Sequence, residues 1–153
     1  MYKKYIITLI IITIVFFIIV MGLNNPRVIA YMNWKIYLPK PQKIDIIYNF
    51  EFSEGEDLEI WYYKENKIQK IINSKYFKNI NKSNKEFLEE KLNNYYQKLN
   101  DDEKELFNKN TKTTLLLEDN YFAYVEKGYD SETWALFILD YRSCKLYYIS
   151  DVY

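Results

Sequence analysis

The chain has 153 residues, with 21 basic and 21 acidic side chains, no histidine, one cysteine and 17 tyrosines. Without histidine the usual general base, the Ser-His and Cys-His nucleophile pairs and the commonest zinc ligand are all missing, and the lone Cys144 leaves no intramolecular disulfide. Only two arginines, Arg27 and Arg142, and a balanced charge argue against a nucleic-acid footprint.

The first element is a greasy run. Residues 5–23 carry no charge, and Thr8 and Thr13 are the only polar interruptions. As a helix this run spans about 28 Å, close to the roughly 30 Å of a bilayer core. It lacks the polar face of a surface helix, and it is longer than the 7–15 apolar residues of a cleaved signal peptide. A retained transmembrane helix that takes the lipid bilayer as its partner is therefore expected. Lys3 and Lys4 in the short tail 1–4 favour a cytoplasmic amino terminus and an extracytoplasmic body, although Arg27, Lys35, Lys40 and Lys43 blur the asymmetry.

Residues 24–42 read as a juxtamembrane segment and linker. Pro26 ends the span, and Tyr31, Trp34 and Tyr37 follow at helical spacing, as rings at the headgroup level would. The other reading of this segment is the first piece of the folded domain. Leu38-Pro39-Lys40-Pro41 is a stiff break before a domain over 43–153.

That domain opens with alternation: Ile44, Ile46, Tyr48, Phe50 and Phe52 share one face of an expected strand. Residues 53–57 read as a turn and 58–63 as the return strand of a hairpin. Ile68, Ile71, Ile72 and Tyr76 suggest a short helix within 66–80. Ser83 and Glu86 fit a capping box, followed by the stripe Leu88, Leu92, Tyr95, Tyr96 and Leu99. Asn100 to Glu103 resembles the cap of another helix running to about Asn108. Two short strands or one bent strand are expected over 113–126, then a turn at 127–130, a strand at 133–140, and a closing strand that includes Cys144 as a small buried hydrophobe.

Strands, helices, strands in that order predict an α+β class: a small antiparallel sheet built from a hairpin, helices and a meander. The helices should cover one sheet face while Tyr and Lys line the other. The abundance of Lys, Asn, Ile and Tyr fits the bias of AT-rich coding expected of a low-GC bacterium; the other reading of the tyrosines is a stacking or carbohydrate-facing surface.

No catalytic, cofactor-binding or metal residue stands out. Glu54, Glu56, Asp57 and Glu59 around Gly55 do not fit an EF-hand loop, and Asp101, Asp102, Glu103 and Glu105 are explained by a helix dipole. Asn81-Lys82-Ser83 matches a glycosylation acceptor but overlaps the cap. The expected function is that of a non-enzymatic binding module at the cell envelope, immunity-like or facing an envelope protein or polymer. The alternatives are a carboxylate-based envelope hydrolase, with two acids across a cleft, and a membrane-tethered cytoplasmic regulator.

Overall fold

The computed structural model describes residues 2–23, 25–49, 55–111, 115–127 and 132–153, with the side chains of the first helix described over residues 5–17. The chain divides into two compact units, Met1–Leu38 and Pro39–Tyr153.

The first unit holds two helices. α1 runs Tyr2–Leu23, and every side chain described in it is exposed, with large apolar residues such as Leu9, Phe16 and Phe17 at 65–66%. Among the described residues no helix is long and apolar enough to cross a membrane. Residues 5–17 by themselves make a helix of about 20 Å. α2 (Pro26–Trp34) starts where Asn25 caps the Arg27 amide and proline occupies the first turn, where its missing N–H costs nothing. It stops at Lys35, which adopts the left-handed conformation (φ 57°) and returns its N–H to the Tyr31 carbonyl.

The second unit is α+β. A six-stranded antiparallel sheet has the order β1-β2-β6-β5-β4-β3, formed by Lys43–Tyr48, Gly55–Tyr62, Lys145–Val152, Thr133–Asp140, Tyr121–Lys127 and Lys78–Asn79 respectively. With α3 (Glu65–Ile72), α4 (Lys82–Lys98) and α5 (Asp101–Thr111) the chain has five helices among the described residues. β4, β5 and β6 form the meander; β2 joins it at β6, and the two-residue β3 closes the far edge.

One face of the sheet carries the main core. Leu58, Ile149 and Leu136 face one another across β2, β6 and β5, and Ile60, Tyr147, Ile138 and Phe122 form the next row. Leu88 and Tyr95 of α4, Leu99 at its C-cap and Phe107 of α5 belong to the same buried cluster. Each fully buried side chain of this kind contributes roughly 1.5–3 kcal/mol. The α4 stripe thus points inward, as its spacing requires.

The opposite face is not a polar surface of Tyr and Lys: Trp61, Phe137, Leu139, Leu146 and Tyr148 are all buried on it. The six residues Trp134 to Leu139 are consecutively buried, the pattern of a central strand covered on both sides. Alternation in β1 breaks at Ile47, where a bulge opposes two residues to one. Ile46 pairs with Glu59 but Tyr48 with Leu58, so Tyr48 faces the helices while Ile44 and Ile46 do not. Phe50 and Phe52 lie outside the described residues, as does the turn at 128–130.

β2 begins at Gly55, whose φ of 139° suits glycine, so Glu56 and Asp57 belong to a strand and not to a turn. The α4 cap is Asn81, two residues before the serine that the pattern suggested. Its Oδ1 accepts from the Ser83 amide at 3.0 Å while Asn84 Oδ1 accepts from the Asn81 amide at 2.9 Å, a reciprocal pair of asparagines. α3 ends at Ile72, which leaves Tyr76 outside it. Residues 115–120 form turns, not a strand, because Asn120 bonds back to the Leu115 carbonyl through its side chain (3.0 Å) and to Leu117 through its amide (2.9 Å). α5 runs on to Thr111.

Candidate functional site

Side chains alternate along a strand, so β2 presents Asp57, Glu59 and Trp61 together on the face opposite α4. Ser150 of β6, in register with Asp57, donates its hydroxyl to Asp57 Oδ2 at 2.9 Å, and both residues are buried. The Trp61 indole N–H donates to Glu59 Oε2 at 2.6 Å. Burial pushes the half-buried Glu59 carboxyl up to about 7; the indole bond pulls it back, and the neighbouring Asp57 charge raises it further.

A carboxyl that titrates near neutrality can hold or give a proton at physiological pH. Its partner geometry is unlike a glycosidase pair, however. Asp57 and Glu59 sit two residues apart on one strand and leave it in the same direction, where glycoside hydrolysis needs two acids flanking the scissile bond. Each also accepts a bond from a side chain of the fold itself.

The remaining acids of the sequence clusters disperse. Glu54 lies outside the described residues. Glu56, one residue along the strand, falls on the other face and accepts from the Tyr153 hydroxyl at 2.9 Å. Asp101 and Asp102 are exposed at the start of α5, and Glu103 is engaged in its cap. Among the described residues no three metal-capable side chains converge. Asn81 is committed to capping α4, which leaves its side chain poorly placed as a glycan acceptor. Cys144 is half-buried in the β5–β6 turn at φ 55°, not in a strand, and burial raises its thiol pKa above the ordinary value.

A second buried carboxylate lies on the helix side. Asp151 of β6 accepts from Lys98 Nζ of α4 at 2.7 Å. Burial raises the Asp151 carboxyl above the ordinary value, and the lysine opposes that shift.

A groove of about 530 Å³ lies between α4, α5 and the 115–117 turn of the second unit. Leu92, Tyr96, Phe107 and Leu116 supply apolar walls, and Lys85, Glu89, Asn93 and Asn108 supply polar groups. Asn108 donates to the Tyr96 hydroxyl at 2.9 Å, which fixes the ring at the groove wall. Its size falls in the range of small-ligand sites. Sequence reading missed it because the wall residues come from three separate stretches; only the α4 stripe gave any sign of two of them.

Of the three juxtamembrane rings, Tyr31 and Tyr37 are exposed at 51% and 67%, while Trp34, the last residue of α2, is buried. Trp34 is therefore unsuited to the interfacial role its spacing suggested. In comparisons with known proteins, no family model matches the chain, and neither a characterised protein nor a solved structure matches it significantly.

Proposed function

We propose that the chain is a single-pass membrane protein, with the span over residues 5–23 and a cytoplasmic amino terminus, whose α+β unit binds a protein or polymer at the cell envelope without doing chemistry. The observation that carries this reading is the uncovered apolar helix. Each described large apolar side chain of α1, Tyr5 to Phe17, is at least 48% exposed, a surface that water penalises and acyl chains do not. The sequence continues apolar from Ile18 to Leu23. Thr13 Oγ1 donates to the Leu9 carbonyl at 2.9 Å, so this hydroxyl carries its own partner into a nonpolar medium.

The groove of the second unit supports the binding part of this reading, with its apolar walls and polar groups and with Leu117 44% exposed at its edge. Carbonate extraction and protease protection, in intact cells and in inverted vesicles, test the anchor and its orientation. Recovery of a partner from native membranes by the wild type but not by Leu117→Glu tests the groove. Release of the chain by carbonate would end the anchored reading.

A second reading, a carboxylate-based envelope hydrolase, draws on the Glu59 carboxyl alone. Loss of polymer hydrolysis in both Glu59→Gln and Asp57→Asn, with folding intact, would favour it. An absence of hydrolysis by the wild type would remove it.

A further inference from the structure

The sequence of the first unit carries basic residues and no acid. No Asp or Glu precedes Asp45, and the unit Met1–Leu38 contains Lys3, Lys4, Arg27 and Lys35. Just beyond the end of α1 the chain builds a cavity of about 360 Å³, lined by Arg27, Val28, Tyr31, Tyr37 and Leu38.

Local structure places each of these groups. The Asn25 cap fixes the first turn of α2 and so sets Arg27, and Tyr31 follows one turn later. The left-handed Lys35 reverses the chain and brings Tyr37 and Leu38 back beside the helix. Its ammonium lies 5.7 Å from the centre of the Tyr31 ring. Arg27 Nε donates to the Leu38 carbonyl at 3.1 Å. A guanidinium has five N–H donors, and this bond uses one. Among the described residues no carboxylate pairs with Arg27, and none accepts a hydrogen bond from its terminal nitrogens.

A half-buried guanidinium held by one nitrogen and left with its outer fork open is suited to a planar or tetrahedral oxyanion. Val28 lines the cavity with an apolar side chain, and Met32, one turn after it on the same helix, is 52% exposed. An oxyanion joined to an apolar body matches both features; a free ion uses only the first.

We propose that this cavity binds the headgroup of an anionic phospholipid, with the Arg27 fork on the phosphate, Lys35 adding charge beside it, and the tyrosines at the headgroup level. The assignment rests on the anchored reading above. It makes the segment after α1 a reader of lipid charge as well as a linker.

The full chain is reconstituted into vesicles of phosphatidylcholine and phosphatidylglycerol in equal parts, floated, extracted in mild detergent, and its retained phospholipid quantified. The wild type is expected to enrich phosphatidylglycerol about tenfold over phosphatidylcholine. Arg27→Gln should float equally well and lose the enrichment. Arg27→Lys should keep part of it, because an ammonium offers a point charge in place of a fork. Inorganic phosphate added in excess should leave the retained lipid unchanged. Equal retention of the two lipids, an Arg27→Gln variant that enriches like the wild type, or displacement by inorganic phosphate would overturn the headgroup assignment and leave the anchor standing. A wild-type chain that fails to float would overturn both.

Discussion

The Tyr95 hydroxyl of α4 reaches the main-chain carbonyl of Asp57 on β2 at 2.7 Å, and the Tyr48 hydroxyl completes the chain 3.0 Å away. Tyr95 is fully buried, and burial raises its hydroxyl well above the ordinary phenol range, so it donates as a neutral group throughout physiological pH. This bond fastens the principal helix to the strand that bears the carboxylate pair. Tyr95→Phe is expected to destabilise the chain by about 1–3 kcal/mol, because the accepting carbonyl loses a donor in a dry site. Tyr48→Phe should cost less, since Tyr95 keeps its bond to Asp57. Urea titration of the full chain in mild detergent, followed by near-ultraviolet circular dichroism, checks both.

Glu59 gives stability a pH dependence of a definite sign. Its carboxyl titrates near 7 in the fold and near 4.5 when unfolded, so between these values the folded state holds the additional proton. This contribution is full below about pH 4.5 and is lost as pH rises through 7. Its loss is about 2–3 kcal/mol. Glu59→Gln should flatten that part of the profile and be more stable than the wild type at pH 8. Urea midpoints measured from pH 5 to 8 test this. Trp61 fluorescence should show a transition near neutrality in the wild type that the variant lacks.

Asp151 and Lys98 should show the usual asymmetry of a buried ion pair. The aspartate is buried and the lysine side chain is 38% exposed. Lys98→Met leaves a buried carboxylate uncompensated, at a cost of about 2 kcal/mol at pH 7, below that of a fully buried pair. The raised Asp151 carboxyl should rise further in that variant. Its penalty should therefore shrink as pH falls and the carboxyl takes up its proton. Thermal unfolding of wild type and variant at pH 5 and pH 7 separates the two cases.

Asn100 and Glu103 form the reciprocal cap of α5, with bonds of 3.0 Å from the Glu103 amide to Asn100 Oδ1 and 2.9 Å from the Asn100 amide to Glu103 Oε2. Asn100→Ala should cost about 1 kcal/mol. Since α5 forms one wall of the groove, hydrogen exchange in the first turn of that helix should accelerate while the β5 amides stay protected.

The groove and the carboxylate pair differ in how far the sequence revealed them. The acids around Gly55 stood out as a cluster, yet their meaning turned on whether they sat in a turn or a strand. Strand geometry sends Glu56 and Asp57 to opposite faces and, among the described acids of the cluster, leaves Asp57 and Glu59 together. The pKa of Glu59 depends on Trp61 and on the burial of that face, which no local pattern encodes. The groove depends on Leu116, Phe107 and Leu92 meeting from three stretches of chain.

Periodicity by itself determined the α+β class, the inward stripe of α4 and the second cap, because each is a local consequence of side-chain spacing. The bulge at Ile47, the asparagine cap at Asn81 and the burial of both sheet faces were decided only by tertiary structure. Alternation states that a strand has two faces, but what covers each face, and where an extra residue flips the register, is set by long-range packing.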